Sequence, residues 1–279
     1  GYYNSFLGYQ SGYSNTSGKS NVFLGHQAGY SNDDGFKNVF IGYLSGYSNI
    51  SGQRNVFVGY NTGHDNNSSY NTFIGDNSGA LNTYNYTTFV GAFSGYQNNN
   101  IQNTFVGSWS GAYCQAGAYN TFMGVNSGYH TEGSGNVFMG YDAGKNHDSG
   151  NRNVFIGYGA GLNTSTGSGN IFIGQYSGDF NTNGSNNLYL GNKSGMYAKG
   201  SNQLIIENTD NDSTQALVYG EFDNNLLAFN AQVGIGTLTP VSDLHIENTG
   251  DAMIVINADS DNTGESDNCR IEFRQDGEA

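Results

Sequence analysis

A nine-residue motif repeats twelve times in this chain, at intervals of 16 or 17 residues. Residues 21–29, Asn-Val-Phe-Leu-Gly-His-Gln-Ala-Gly, are a representative copy. Self-similarity at a short fixed period is the signature of architectures in which each unit packs only on its neighbours. The chain is therefore expected to form a stack of equivalent coils. The aromatic centres of the copies are Phe6, Phe23, Phe40, Phe57, Phe73, Phe89, Phe105, Phe122, Phe138, Phe155, Phe172 and Tyr189.

The first five residues of each copy read Asn-[Val/Thr]-Phe-[Ile/Val/Leu/Met]-Gly in most copies and predict a short strand, because β-branched and aromatic residues favour strands. Composition points the same way, since 43 glycines and few good helix formers disfavour a helical fold. The polar segment between copies is rich in Asn, Ser and Gly, which are turn residues. One coil therefore consists of strand and turn.

Three further positions of the motif are nearly uniform. The second Gly is present in all twelve copies, which predicts positive φ or close backbone approach. The residue before it is Ser, Ala or, at Thr62, Thr, which predicts a narrow interior. Asn precedes the strand in eleven copies and Thr87 in the other. A column of Asn can satisfy buried amides from coil to coil.

The predicted fold is all-β: a β-solenoid, specifically a two-sided β-roll with 16–17 residues per coil, followed by smaller β modules in a fibrous homo-oligomer. A coil of this length has room for two short strands and two turns. Parallel stacking at about 4.8 Å would give twelve coils a length of roughly 55–60 Å. The predicted domains are a β-roll (1–201), a β transition or neck segment (202–240) and the truncated start of a second β module (241–279).

Beyond the repeats, residues 202–208 resemble a further strand that lacks the Phe-Gly pair. Residues 215–230 predict a hairpin with its turn near 223–225. Strands are also predicted at 243–247, 252–256 and 270–274.

Alternation within the strand places the Phe on one face and its two neighbours on the other. Leu24 and its equivalents are apolar in every copy, so they are predicted to line the interior, with Phe23 and its equivalents outside as a seam between subunits. The reverse assignment remains open. Either one exposes an apolar ladder larger than a soluble monomer usually tolerates. A parallel homo-oligomer is therefore predicted, with three subunits as the preferred number.

Charge excludes several partners. The formal net charge is −14 and only nine Lys and Arg are present, so nucleic acid and an anionic membrane surface are not expected to bind. No apolar run approaches the ~20 residues of a membrane span. The chain begins at Gly1 within the pattern, which suggests a mature fragment or a piece of a longer protein. Cys114 and Cys269 belong to no metal or redox motif.

No catalytic constellation is evident, and the chain is predicted not to be an enzyme. The five histidines (His26, His64, His130, His147 and His245) are interpreted as surface-loop residues. The glycines at 157, 159 and 161 lack the helix and acidic residue of a nucleotide-binding fingerprint. Carboxylate pairs for glycoside hydrolysis are disfavoured by scattered repeat positions; the candidates are Asp76, Glu132, Asp142 and Asp148.

A calcium ion is the one cofactor considered. Asp259, Asp261, Thr263 and Glu265 place oxygen ligands at alternate positions of a loop that also contains Gly264. The loop lacks the bidentate Glu of an EF-hand, since Arg270 lies at the twelfth position. Residues 208–212 form a weaker version. A solvated turn is the structural alternative for both.

Aromatic side chains provide the predicted ligand contacts. Stacked tyrosines form an amphipathic surface suited to sugar rings or protein partners, although packing along the rod is the structural alternative. The predicted contact residues are Tyr13, Tyr30, Tyr47, Tyr96, Trp109 and Tyr129.

The Asn-x-Phe-Ile-Gly-x-x-Ser-Gly coils resemble the β-roll heads of trimeric autotransporter adhesins. They are more similar to repetitive surface and tail-fibre-like proteins of bacteria and phages, in which Asn-Thr-Phe-Ile-Gly repeats lead into a Val-Gly-Ile-Gly-Thr-x-x-Pro neck, here residues 233–240. The resemblance implies a β-roll in a fibre. The 16–17-residue period and the regular Phe depart from the adhesin heads, and the matching positions are structural, so no functional residue carries over.

The function expected from these patterns is a structural, adhesive segment of an extracellular fibre or filament that attaches to cells or surface glycans by multivalent contact. Its partners would be further copies of itself and a surface glycan or cell-surface protein, without membrane insertion. It would lie outside the cell, on a cell surface or a virion tail.

Three alternatives remain. One is a phage or contractile-injection tail fibre. Another is an ice-binding solenoid, for which Thr72, Thr104 and Thr121 precede the Phe, although Val does so in five other copies. A polysaccharide-cleaving fibre is the third.

Overall fold

The structure, a computed structural model, describes residues 1–210 and 215–254. The described residues form strands and turns without a helix. None of them therefore belongs to a helix with the length and apolar character of a membrane span. The strands of the repeats are β1 (Ser5–Leu7), β2 (Val22–Leu24), β3 (Val39–Ile41), β4 (Val56–Val58), β5 (Thr72–Ile74), β6 (Thr88–Val90), β7 (Thr104–Val106), β8 (Thr121–Met123), β9 (Val137–Met139), β10 (Val154–Ile156), β11 (Ile171–Ile173) and β12 (Leu188–Leu190).

Five more strands follow, β13 (Gln203–Ile206), β14 (Val218–Glu221), β15 (Leu226–Phe229), β16 (Val233–Ile235) and β17 (Leu244–Ile246). Strands β1 to β13 pair in parallel in the order of the sequence, with each aromatic centre opposite the next, as Phe23 is opposite Phe40. The predicted all-β solenoid of about twelve turns is therefore confirmed.

Each coil contains one strand, although its length left room for two. The opposite side is a turn that includes both glycines, and it hydrogen-bonds to the adjacent coils through its backbone. The amide of Gln27 donates to the carbonyl of Tyr9 (2.8 Å), and that of Gly29 donates to the carbonyl of Ser45 (2.9 Å). Coil-to-coil hydrogen bonding thus continues outside the sheet and satisfies the polar backbone there.

The aromatic centres form the core as a single inner Phe column. From Phe23 to Phe172 their exposure is at most 1%, and Tyr189 is equally buried. Ring centroids of successive members lie 4.7–5.0 Å apart and the rings are within 10° of parallel. The strand spacing lets each ring cover the faces of its two neighbours.

The prediction that Leu24 and its equivalents line the interior, with Phe at a subunit seam, is therefore wrong. The aliphatic residues point outward, and Leu24 is 41% exposed. An interior only one side chain wide favours a flat ring that stacks on its own copies, because branched aliphatic side chains would leave voids there. The reverse assignment, with aliphatics outside, is the correct one.

The second Gly meets both predicted requirements. Gly111 has φ +54°, and a Cβ there would lie 2.3 Å from Cε2 of Phe105. The ring of each coil therefore occupies the space that a side chain would need. The small residue before the Gly also contacts the next coil: the Ser45 hydroxyl donates to the carbonyl of Phe57 at 3.1 Å.

The Asn column, which lies two residues before the Phe, is buried and links the coils as predicted. The Oδ1 of Asn21 accepts the backbone amide of Asn38 (2.9 Å), while its Nδ2 donates to the carbonyl of Gly35 (2.8 Å). Each side chain therefore pairs mainly with backbone groups. At Thr87 the hydroxyl and the amide both donate to Oδ1 of Asn71.

Coils of 16 and 17 residues stack in the same register. The difference lies in the turn that precedes the corner of the coil, which has three residues at 33–35 and two at 67–68. Val56 still pairs with Thr72 and Phe57 with Phe73 across a 16-residue coil. The loop absorbs the change, and the columns continue without interruption.

Two positions per coil adopt positive φ even where the residue is not Gly. One lies two residues after the first Gly, as at Leu44 (φ 53°). The other, three residues before the Phe, is called the corner column and includes Lys37 (φ 58°) and Tyr119 (φ 61°). A left-handed conformation costs roughly 1–2 kcal/mol for an ordinary residue. The sequence alone does not indicate these positions, because bulky residues occupy them.

The C-terminal end of the column is closed by a change of residue and topology. The hydroxyl of Tyr189 donates to Oε1 of Gln203 (2.8 Å), and Ile205 continues the column in β13. The predicted hairpin is confirmed as β14 and β15, which pair antiparallel beside β13. The first compact unit spans Gly1–Asn230.

The second compact unit begins at Ala231. In its described part, β16 and β17 pair in parallel, which confirms the strand predicted at 243–247. Residues 252–254 are not in a strand, and the rest of the strand predicted at 252–256 lies outside the described residues, as does that at 270–274. The connection between β16 and β17 carries two highly exposed apolar residues, Leu238 (101%) and Val241 (82%). Two short strands bury little apolar surface.

Candidate ligand-binding surfaces

The outer face of the sheet consists of the residues immediately before and after each Phe of the column. Both positions are mostly aliphatic. Ile74, Met123 and Ile173 are 41%, 41% and 38% exposed. In β5 to β8 the first position is Thr in four successive strands, Thr72, Thr88, Thr104 and Thr121. This face is a continuous, largely apolar strip along the coils.

Two aromatic ladders run along the first four coils. Tyr13, Tyr30, Tyr47 and His64 stack at 5.0–5.2 Å. Tyr9, His26, Tyr43 and Tyr60 form the second, at 4.9–5.3 Å.

In such ladders each ring covers its neighbours' faces, so inner members such as Tyr30 and Tyr47 present mainly edges. Sugar stacking, one of the predicted contacts, therefore has no open ring face at Tyr30 and Tyr47, whereas Tyr13 has a ring partner on one side only. Hydroxyl and edge contacts remain available.

Trp109, Tyr96 and Tyr129 are half-buried and lie in an aromatic cluster separate from the two ladders. The indole of Trp109 stacks on Phe93 with centroids 4.2 Å apart, and Tyr129 is tilted toward it at 6.1 Å. Tyr113 makes edge contacts with Tyr96 and Tyr129. Burial and the nearby Tyr113 raise the pKa of Tyr129. These residues pack mainly on one another.

A groove of about 760 Å³ follows the corner column in the later coils. The column there reads Tyr119, Gly135, Arg152, Gly169 and Asn186. The two glycines leave notches on either side of Arg152. A Cβ on Gly135 would meet only Cγ of Arg152, at 3.7 Å. The groove is also lined by Ser134, Asn151, Ser168 and Ser185.

The serines of the groove are held by backbone donors. The amide of Asn151 donates to Oγ of Ser168 (3.0 Å), and the amide of Ser168 donates to Oγ of Ser185 (3.1 Å). Since these oxygens act as acceptors, their hydroxyl protons are free to point into the groove. Hydroxyl donors therefore line its floor at successive coils.

Arg152 and Arg54 occupy equivalent corner positions but have different surroundings. The guanidinium of Arg54 donates to the hydroxyl of Tyr70 (3.0 Å) and lies 5.2 Å from its ring centre. The exposed side chain of Arg152 has no ion pair, hydrogen bond or ring contact among the described residues. It is a free cation in a strongly acidic protein.

Sequence reasoning missed this groove. The signal is a comparison of copies at the corner position: most carry a side chain there, while Gly135 and Gly169 flank Arg152. A glycine in a column where the other coils carry polar side chains indicates a gap in the surface.

His147 is buried, so its interpretation as a surface-loop residue is wrong. It replaces an Asn in a second interior polar column. Nδ1 lies 3.1 Å from the carbonyl of Thr164, and Nε2 lies 2.9 Å from the carbonyl of Gly150 and 3.2 Å from Nδ2 of Asn153. Burial lowers the pKa of His147 and outweighs the two carbonyl contacts, which favour the protonated ring.

The other histidines are not brought together. His26 and His64 belong to the aromatic ladders, His130 is exposed in a turn, and His245 lies in β17. Among the described residues, no three His, Cys, Asp or Glu side chains form a cluster that could hold a metal ion.

Four carboxylates were considered as catalytic candidates. Glu132 and Asp148 are exposed at equivalent positions of adjacent coils, where the amide of Glu132 donates to the carbonyl of Asp148. Asp142 pairs with Lys145 at 3.3 Å, and Asp76 lies at yet another coil position.

Cys114 is buried and unpaired, and burial raises its thiol pKa to about 12. This thiol is therefore protonated and unreactive at neutral pH. Cys269 lies outside the described residues.

The calcium loop of Asp259, Asp261, Thr263 and Glu265 also lies outside the described residues, as do residues 211 and 212 of the weaker loop. In the described part of that loop, Asp210 lies 3.8 Å from Nζ of Lys193. Both calcium sites stay predictions.

Comparison of the chain with protein-family models, curated proteins and solved structures finds no match.

Proposed function

We propose that the chain is a non-enzymatic, adhesive segment of an extracellular fibre, in which parallel copies pack together through the outer face of the sheet. The observation that carries this proposal is the apolar strip formed by thirteen parallel strands. At about 4.8 Å per strand and roughly 10 Å in width, the strip covers roughly 600 Å². This area lies at the upper end of the range for the largest apolar patch on a typical monomer, which is about 300–600 Å².

A second copy is the occupant that best fits this strip. Stable interfaces bury about 800 Å² on each partner, so the strip with its margins is close to that size. A parallel copy repeats the same spacing and presents complementary rows along its whole length. The second unit supports the same conclusion, because its exposed Leu238 and Val241 lack cover within the described residues.

Assembly would turn weak contacts into attachment. Each copy carries its surface grooves and aromatic edges at regular heights, and parallel copies would present them several times. Such multivalency can raise avidity about 10²–10⁴-fold over a single contact. The same geometry would serve a fibre on a cell surface or on a phage or contractile-injection tail. The genes beside its coding sequence would distinguish these origins.

Native mass spectrometry, together with light scattering, tests the assembly. The unmodified chain is expected to be oligomeric, with three subunits as the preferred number. The triple variant Ile74→Lys, Met123→Lys, Ile173→Lys places charges on the strip and should give a folded monomer. Asn99→Lys, Gln115→Lys, Ser149→Lys is the control, since these residues are exposed away from the strands. A monomeric unmodified chain would overturn the proposal.

Adhesion is tested by comparing the oligomer with the triple-Lys monomer on immobilised glycans and on cells. We expect these surfaces to retain the oligomer and the monomer to wash off. Absence of binding by the oligomer to every surface would contradict the adhesive role, even if the fibre assembles. Incubation with the same glycans should leave their length unchanged.

Ice binding is the second candidate, and the four successive Thr residues are the observation that favours it. These four strands span only about 14 Å, and the parallel row on the same face is Ile, Val, Val and Met. A thermal-hysteresis measurement is expected to show no activity.

A further inference from the structure

We propose that the groove from Tyr119 to Asn186 binds a carboxylated segment of an extended polysaccharide. Arg152 would pair with a sugar carboxylate, and the ring of Tyr119 would contact a sugar face. This inference rests on the adhesive function proposed above and names the ligand class of one site. The site lies on the first compact unit alone.

The shape of the groove favours a chain over a compact ligand. Its corner residues extend over five coils, a distance of about 19 Å. Both glycines are exposed; the notch at Gly135 is open to solvent, whereas the side chain of Asn186 borders the notch at Gly169. A linear polymer can lie along such a groove with its ends free, whereas a small molecule would leave most of it unfilled.

The charge of the groove favours an acid. Arg152 is its only charged lining residue, and its guanidinium is not used by another group of the described chain. A guanidinium binds a carboxylate through two parallel hydrogen bonds. Because the whole chain carries a formal charge of −14, its overall field disfavours anions, and Arg152 provides the attractive contact for an acidic ligand within the groove.

The neutral groups of the groove suit sugar hydroxyls. Ser168 and Ser185 can donate, since their oxygens already accept backbone amides. The Oδ1 of Asn186 lies over Gly169, only 2.7 Å from where a Cβ would be. It provides an acceptor at the second notch. The floor thus presents hydroxyl donors and an amide acceptor on the Asn186 side of the cation.

Tyr119 supplies the aromatic surface that the ladders do not. Its side chain is 61% exposed, and it has no ring contact among the described residues. The next corner residue is Gly135, so one face of the ring borders an empty notch. Tyr70, in contrast, stacks on Tyr86 with centroids 4.9 Å apart.

The test uses two probes of equal length and linkage. One is cellotetraose, and the other is the same β-1,4-linked tetramer oxidised to glucuronic acid at every C6. Calorimetry with the full chain should show binding of the acidic tetramer and at least about tenfold weaker binding of the neutral one. Raising the salt concentration should lower the affinity for the acidic tetramer, because salt screens an exposed ion pair.

Arg152→Gln should reduce affinity for the acidic tetramer about tenfold. Arg54→Gln is the matched control, because it removes the same side chain from an equivalent corner with no notches, and it should leave binding unchanged. Gly135→Tyr should also abolish binding, since a ring there would fill the notch and cover Tyr119. The corner position accepts Tyr at positive φ in Tyr70 and Tyr86.

The outcomes separate this inference from the adhesive function. Equal loss in Arg152→Gln and Arg54→Gln, or equal binding of both tetramers, would overturn the groove assignment. Absence of tetramer binding, in a chain that still adheres to cells, would overturn it while leaving adhesion intact. If Gly135→Tyr unfolds, Arg152→Gln still decides.

Discussion

The inner and outer sides of the same strands are both apolar, yet they obey different rules. In β7, Phe105 points inward and is fully buried, while Thr104 and Val106 point outward and are partly exposed. The inner position is Phe in eleven strands and Tyr in the twelfth. The outer positions vary among Val, Thr, Ile, Leu, Met and, at Ser5, Ser.

The difference follows from what each side must fit. An inner ring contacts copies of itself above and below, so any change in size or shape would disturb two neighbours at once. The outer residues lie side by side and face away from the coil, where small differences in size are tolerated. Uniformity therefore marks the side that is packed within the chain, and hydrophobicity alone does not.

The strongest test of this difference is truncation within one strand. Phe105→Ala should lower the free energy of unfolding by about 3–5 kcal/mol, because it leaves a ring-sized cavity in the stack. Val106→Ala, its outward neighbour, should cost less than about 1.5 kcal/mol. Urea unfolding followed by circular dichroism gives both values, in the triple-Lys background if assembly interferes. Equal losses would show that both faces are packed.

A second comparison uses adjacent polar residues. Asn120 is buried, its Oδ1 accepts the amide of Asn136 (2.8 Å), and its Nδ2 donates to the carbonyl of Gly133 (2.9 Å). Asn120→Ala should cost about 1–3 kcal/mol, since both partners lose a hydrogen bond in a buried setting. Thr121→Ala, one residue later on the outer side, should change stability by less than about 0.5 kcal/mol. Comparable costs would contradict the assignment.

The third test is the pH dependence conferred by His147. Burial holds its folded pKa below the ordinary value of 6.5, so the unfolded chain binds a proton that the folded chain rejects. Stability should therefore fall as pH drops below about 6.5, until the folded pKa is reached.

His147→Asn restores the residue found at this position in several other coils and should remove that component. His130→Asn, in an exposed turn, should retain it. Unfolding midpoints measured between pH 7.5 and 5 would compare the variants. Identical slopes for the unmodified chain and His147→Asn would contradict the buried neutral ring.

The smallest expected effect lies on the outer face. Thr104→Val changes one member of the Thr row without altering its shape, and should shift stability by less than about 0.5 kcal/mol. Phe105→Leu, on the inner side of the same strand, should cost more, because an aliphatic side chain cannot stack. Thermal melts of the two variants would be compared. A larger loss from Thr104→Val would place an unrecognised contact on that face.

Much of the fold could be predicted from the repeat itself. The period, the strand at each Phe, the positive φ of the second Gly and the Asn column all follow from positions that vary little between copies, with Thr87 and Tyr189 as the exceptions in the Asn and Phe columns. The side of the strand to which the Phe side chain points could not be predicted in this way. A three-residue strand such as Val39–Ile41 is apolar on both sides, so its pattern carries no information about which side is buried.

A steric relation between two positions of the motif decides the direction of the Phe side chain. A Gly always lies six residues after the Phe, and in the structure the ring fills the space above it, as Phe105 does at Gly111. Considered together, the uniform Phe and the uniform second Gly predict that the ring points into the coil. The groove could not be predicted in the same way, since it depends on which side chains are missing at neighbouring heights, as at Gly135 and Gly169.

The placement of the one-residue difference between coils has a consequence for how such genes change. Because the extra residue lies in a turn such as 33–35, coils of either length join without shifting a column. Unequal recombination between near-identical copies would add or remove whole coils and leave the register intact. Length is then a trait that can be inherited and selected in steps of one coil, independently of the surface that each coil presents.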